Sequence, residues 1–209
     1  MVEEVYAELS ILSAIIGVVA ASIFVLVVQR RRDLRLWLPA YISVSIGLIL
    51  SAINSVLNPG GQDLVSNIFF AIAVIIIFIA IFNEYYNTFV KKESNRLLKT
   101  SMIGAAITVN PIILGLEIFI IIFCGIGAVL LFRIYWHKRT STHAFLSLSL
   151  TSAILTLIMT VIRTYGVEGT RLYGNGITFF FATMLMVTAI VAFLDDKILR
   201  TTNDLKNVI

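Results

Sequence analysis

The sequence predicts an all-α, polytopic membrane protein with seven transmembrane helices. Of its 209 residues, 59% are hydrophobic and only 13% are charged, whereas a soluble domain carries about 25% charged residues. The apolar residues lie in runs of roughly 20, the length that crosses a bilayer as a helix, and the basic residues cluster between these runs. A water-exposed globular fold is therefore excluded, and so is a disordered chain.

Five helices are predicted by clear apolar runs, at 9–28, 36–57, 64–82, 145–162 and 177–194. Strands of a membrane barrel are about 10 residues long and alternate polar with apolar positions, which these runs do not. Acidic rather than basic residues precede the first run, so we expect a retained helix and not a cleaved signal peptide. The second run ends at an Asn-Pro-Gly-Gly turn.

The stretch 97–132 could hold one crossing or two. Asn110-Pro111 favours a boundary, because proline disfavours helical geometry at the preceding residue. The division gives a short linker helix at 97–110 and a further helix from 112. With seven crossings and the N-terminus outside, 14 of the 16 lysines and arginines lie inside. Six crossings would leave ten inside and six outside, so the positive-inside rule favours seven helices, N-out and C-in.

We therefore expect a single transmembrane domain in the cell membrane, followed by a cytoplasmic tail at 197–209. The tail could continue the last helix for about three turns, which would suit a cytoplasmic output partner or a homodimer seam, or it could be a frayed terminus. The basic residues lie at separate helix ends on one membrane face. This indicates the bilayer, with its anionic headgroups, as the partner, and excludes nucleic acid.

The two halves of the chain, 9–86 and 112–196, resemble each other as a parallel repeat around the linker helix. Ser-x-Ser follows a basic cluster in each half, at Ser43 and at Ser147, and an acidic residue closes the third helix of each, at Glu84 and at Asp195. Three helices per repeat can face the same way only if a linker helix inverts the chain between them. This is a 3+1+3 arrangement.

In topology alone, the 3+1+3 layout resembles the SWEET sugar transporters, whose Pro-Gln pair at a helix start is absent here. The chain also resembles the seven-helix N-terminal input modules of prokaryotic signalling proteins. It shares with them a basic turn, a helix entered through Arg35-Leu36-Trp37, a short Asn/Pro/Gly loop and helices that open near an asparagine. The second resemblance implies a sensing function.

Ionisable groups at membrane depth are the first candidates for a ligand site, because burying them is costly. Glu117 lies about 9 Å along its predicted helix from Pro111, and Arg163 closes the next predicted helix at the same outer level. The two could form a pair that contacts a ligand or ion, or a structural tether between helices.

Two polar stripes could line an outward cavity between the repeats, or serve close helix packing. The candidates on the second helix are Ser51, Asn54, Ser55 and Asn58, and those on the sixth are Ser152, Thr156, Thr160 and Arg163. Asn67 and Asn175 open the helices that follow.

Enzyme chemistry finds no support in the sequence. His137 and His143 have no carboxylate or cysteine at metal-ligand spacing, and Cys124 lies in an apolar run with no histidine nearby. The last helix has no central lysine for a retinal Schiff base. We therefore expect no enzyme, metal or cofactor, but a sensing or ligand-binding module with an outward cavity. The alternatives are a small-solute transporter or channel and a structural subunit of a membrane complex.

Overall fold

The computed structural model describes residues 2–57, 64–90, 109–138, 140–164 and 170–206. This part of the chain is all-helical and contains six helices long and apolar enough to cross a membrane, which confirms the predicted class. The helices are α1 (Val2–Arg30), α2 (Leu38–Leu57), α3 (Leu64–Tyr85), α4 (Val109–Lys138), α5 (Ser141–Thr164) and α6 (Thr170–Lys206). A 3-10 helix (Arg32–Trp37) precedes α2, and a π-helix (Tyr86–Val90) follows α3.

Most of the predicted linker helix 97–110 lies outside the described residues, so the seventh helix stays a prediction. The predicted end of the linker helix at residue 110 is wrong, because Val109 and Asn110 belong to the first turn of α4. Proline fits the first turn of a helix, where its missing N–H would have no partner. Pro111 therefore lies just inside the start of α4 and not in a turn before it.

The last helix is longer than its apolar run. The membrane-spanning part of α6 is Gly174–Asp195, and the helix continues without a break to Lys206. The eleven residues beyond Asp195 add about 16 Å of helix at 1.5 Å per residue. Of the two alternatives for the tail, the structure contains the helical continuation, for residues 197–206.

Helices α3 and α4 run parallel, with their C-terminal ends side by side. Midway along them, the rings of Phe78 and Phe123 meet edge to face at 4.8 Å between centroids. At the ends, Lys138 Nζ lies 2.7 Å from Glu84 Oε1. The partners therefore advance together along both helices, as they do in a parallel pair.

Helices α1 and α6 are also parallel and end at this same end of the bundle. The guanidinium of Arg30 lies 4.7 Å from the ring centroid of Phe193. Helix α5 begins here, since the backbone N–H of Thr142 donates to Asp195, and α2 begins here because only the 3-10 helix separates it from α1. Packing follows chain order and closes between α6 and α1, so the described helices form a ring.

Small side chains bring these helices together. The interior face of α6 repeats at intervals of three and four residues, with Ala182, Ala189 and Ala192 fully buried. On α1, the carbonyl of Gly17 accepts a hydrogen bond from the Ser45 hydroxyl of α2 at 2.8 Å. Lipid tails are as apolar as the side chains themselves, so close packing and interhelical hydrogen bonds hold such bundles together.

Candidate functional site

The largest polar cluster that the structure describes lies where α1, α3 and α4 end, α2 and α5 begin, and α6 leaves its membrane-spanning part. We call this region the charged end and define it by Arg31, Asp33, Glu84, Lys138, Thr140, Thr142, His143 and Asp195.

The start of α5 organises the charged end. Thr140 immediately precedes the helix, and its carbonyl accepts a hydrogen bond from the backbone N–H of His143 at 3.2 Å. Its hydroxyl is hydrogen-bonded to Nδ1 of the same imidazole. Threonine is a preferred residue at this position, because its side chain can serve the first turn of a helix. The result is a fixed orientation for His143, whose side chain is 1% exposed.

His143 and Lys138 share one carboxylate oxygen of Glu84. His143 Nε2 lies 2.6 Å from Oε1, and Lys138 Nζ lies 2.7 Å from the same atom. The other oxygen, Oε2, is buried and has no hydrogen-bond partner among the described residues. The side chain of Glu84 is 13% exposed, while that of Lys138 is 36% exposed. The carboxylate therefore joins α3 to both α4 and α5 in a largely dry environment.

Asp195 provides a second junction, between α6 and the first turn of α5. Its Oδ2 accepts hydrogen bonds from the backbone N–H of Thr142 at 2.9 Å and from the Thr142 hydroxyl at 2.5 Å. A carboxylate is favourable at a helix N-terminus, where N–H groups lack partners within the helix. The Thr142 hydroxyl oxygen also accepts a hydrogen bond from Arg31, which pairs with Asp33 at 2.9 Å. The connection that follows α1 thus meets α5 and α6 at Thr142.

An arginine stacks on an aromatic ring at each junction of parallel helices. Arg30 of α1 lies over Phe193 of α6, and Arg133 of α4 lies 5.7 Å from the ring centroid of Tyr85 and 5.5 Å from that of Phe89. The α1–α6 and α3–α4 junctions are therefore built alike at this end.

The predicted cavity residues lie on the halves of their helices farther from the charged end. On α2, Ser51 and Asn54 are partly buried, and the Ser55 hydroxyl lies 3.2 Å from that of Ser10 on α1. This contact supports the packing alternative at Ser55.

On α5, the hydroxyls of Ser152 and Thr156 donate to backbone carbonyls of their own helix, at 2.7 and 3.1 Å. Asn67 and Asn175 are partly buried near the starts of α3 and α6. Asn58 lies outside the described residues, as do the side chains of Glu117, Thr160 and Arg163. The Glu117–Arg163 pair and the outward cavity therefore stay predictions.

Reasoning from sequence missed the His143 site. His143 was set aside because no carboxylate lies at ligand spacing nearby, but its partner comes from α3, 59 residues earlier. One signal was available: Glu84 and Asp195 are acidic residues at the ends of apolar runs. An acidic residue at the end of an apolar run is a candidate for pairing with a neighbouring helix, and the start of α5 provides a partner for each of the two.

The cluster does not have the composition of a metal centre. Within the described ranges, no group of three or more His, Cys, Asp and Glu side chains could hold a metal ion. Comparison of the chain with protein-family models, with curated proteins and with solved structures finds no match.

Proposed function

We propose that the chain is a membrane-embedded sensing module in which the charged end transmits a change in the helix bundle to α6. The observation that carries this proposal is the attachment of α6 at Asp195, where the helix leaves its membrane-spanning part and continues to Lys206. Since Thr142 is fully buried and bonded to Asp195, displacement of the α5 N-terminus would displace the start of the extension.

The predicted ligand-contacting residues suit this arrangement. Thr156 lies 14 residues beyond Thr142 on the same helix, a distance of about 21 Å at 1.5 Å per residue. A ligand that contacts the far half of α5 could therefore act on the charged end through one rigid helix. No catalytic reaction is part of this proposal. The resemblance to the input modules of signalling proteins agrees with it.

The first prediction concerns the helical phase of α6. We fuse residues 1–206 to a reporter output domain and insert one to seven alanines between Lys206 and that domain. Because a continuous helix rotates by about 100° per residue, we expect reporter output to oscillate with the insertion length and to return close to its original value at seven. Asp195→Asn, which weakens the bonds to Thr142, is expected to change the output of the uninserted fusion.

Asp33→Asn is the matched control, since Asp33 is 58% exposed and its ion pair with Arg31 joins two residues that follow α1, with neither of them in α6. A reporter output that changes neither with the insertion length nor with Asp195→Asn would contradict the sensing role. Solute uptake by proteoliposomes that disappears in Glu117→Gln or Arg163→Gln would favour the transporter alternative.

We further propose that the chain crosses the membrane between α3 and α4 through the linker helix predicted from residue 97, which gives seven crossings with the N-terminus outside. The parallel packing of α3 and α4 supports this, because the chain must return to the far end of the bundle before α4 begins. A helix over 97–108 spans about 18 Å, less than the roughly 30 Å of a hydrocarbon core, so this crossing requires a locally thinned bilayer. The same 3+1+3 order supports the internal repeat.

The second prediction tests this topology with single cysteines in a Cys124→Ala background. We expect Thr88→Cys and Asn203→Cys to react with a membrane-impermeant maleimide only from inside, and Gln62→Cys and Asn110→Cys only from outside. Labelling of Thr88→Cys and Asn110→Cys from the same side would contradict a crossing between α3 and α4. Reversal of all four would contradict only the orientation.

We propose anionic lipid headgroups as the partner of the arginines at the charged end. Arg30 and Arg133 are both exposed while their guanidinium groups stack on aromatic rings. Stacking leaves the N–H groups at the edges of a guanidinium open to phosphate oxygens. A multi-pass location in the cell membrane agrees with this partner, and the α6 extension offers a surface for an output domain or a second copy.

A further inference from the structure

We propose that His143, together with Glu84, is a proton-binding site whose occupation changes the cation that is paired with Glu84. Histidine is the side chain whose charge ordinarily changes near neutral pH. This histidine is 1% exposed and has a hydrogen-bond partner at each ring nitrogen. The site would serve a sensor and a transporter equally, so it does not depend on the function proposed above.

The partners of the ring accommodate both protonation states. In the neutral ring, Nε2–H donates to Glu84 Oε1 and Nδ1 accepts from the hydroxyl of Thr140. An added proton binds the lone pair of Nδ1, and the hydroxyl rotates so that its oxygen accepts from the new N–H. A hydroxyl can act as donor or acceptor, so the buried ring gains a proton and loses no hydrogen bond.

The carboxylate of Glu84 can pair with the positive charge that protonation adds to His143. Both cations lie on Oε1, while Oε2 is buried with no partner in the part of the chain described. Of the two cations, Lys138 is the more exposed, at 36% against 1% for His143. Protonation of His143 therefore forms a buried ion pair with Glu84 and allows Lys138 to move into water. The ion pair between Glu84 of α3 and Lys138 of α4 is then replaced by a stronger ion pair between Glu84 and His143 of α5.

Other charged groups at this end set the background for the proton. Helix α2, which packs against α3, carries no charged residue. The described charged and titratable groups from the remaining elements are Arg31, Arg32, Asp33 and Arg35 from the α1–α2 connection, Arg133, His137 and Lys138 from α4, and Asp195 from α6. Among these, Lys138 alone shares an oxygen of Glu84 with His143, so it is the one that competes directly with the imidazolium.

The third prediction follows the two imidazole rings by NMR of the full chain, with ¹⁵N-labelled histidine, in lipid nanodiscs between pH 5 and 8.5. The measured quantity is the protonation state of each ring at each pH. Glu84→Gln should weaken proton binding at least about tenfold, because a carboxylate in contact favours the charged ring. Lys138→Met should strengthen it severalfold, because it removes the competing cation.

His137 is the internal control. It is the other of the two histidines, and its ring centroid lies 5.1 Å from that of Phe89, so it reports any effect of Glu84→Gln that is not specific to the His143 site. If the cluster has only a structural role, Glu84→Gln and Lys138→Met should not change proton binding by His143 in opposite directions. If Glu84→Gln fails to fold, the effect of Lys138→Met on proton binding by His143 tests the proposal by itself. A His143 ring that keeps one protonation state throughout, or that titrates identically in the variants, would overturn the proposal.

Discussion

Glu84→Lys is expected to reduce the free energy of unfolding by at least about 3 kcal/mol, the range measured when one partner of a buried ion pair is removed. The substitution places an ammonium group against Lys138 and His143, both of which lie within 2.7 Å of Glu84 Oε1 in the native protein. Two cations then face each other in a largely dry environment, and the ends of α3, α4 and α5 lose their common acceptor. We would measure unfolding in detergent micelles, by titration with sodium dodecyl sulfate.

Two further variants separate charge from shape. Glu84→Gln keeps the size of the side chain and should cost less, because the amide oxygen can still accept a hydrogen bond. The exchange Glu84→Lys with Lys138→Glu re-forms the α3–α4 ion pair but leaves His143 facing a cation. We therefore expect partial recovery, expressed as a coupling energy in the double-mutant cycle. Equal stability of Glu84→Lys and Glu84→Gln would contradict a charge-based role.

The class of the fold could be predicted from composition, because a charge content of 13% cannot cover a water-exposed surface. Helix positions followed from apolar runs, but helix ends did not. The starts of α5 and α4 lie at Ser141 and Val109. The partly buried carboxylate of Asp195 stabilises the polar first turn of α5, and a proline fits the first turn of α4. Hydropathy has no information about either effect.

The pairing at the charged end could be predicted only in part. Acidic residues at the ends of two apolar runs were visible in the sequence, yet their partners were not. Asp195 meets Thr142 from 53 residues away, and Glu84 meets His143 from 59. Such contacts depend on the order of helices around the ring and on their relative heights, which no local spacing specifies. The second serine of each Ser-x-Ser pair, Ser45 and Ser149, is buried and hydrogen-bonded, while the internal repeat itself stays a prediction.

The contact between α1 and α2 leads to the second large expected effect, at Gly17. A Cβ built on this glycine would lie 2.7 Å from Cδ1 of Leu48 and 3.7 Å from Cα of Ser45. Leu48 is 1% exposed and has little room to move. Gly17→Val therefore forces the two helices apart and weakens the 2.8 Å hydrogen bond from Ser45 to the Gly17 carbonyl. We expect a loss of about 2–3 kcal/mol, the upper range for overpacking a close-packed interior.

Gly125→Val is the matched control, since a Cβ on Gly125 meets no atom within 4 Å. Both substitutions replace a helical glycine by the same β-branched residue in a membrane-spanning helix, so differences in helix propensity cancel. Only the packing term then separates the two variants in the same titration with sodium dodecyl sulfate. If Gly17→Val unfolds at the same denaturant concentration as Gly125→Val, the close approach of α1 and α2 is not what stabilises this side of the ring. If the losses of stability in Gly17→Val and Glu84→Gln add in the double variant, helix packing and the charged end contribute separately to the fold.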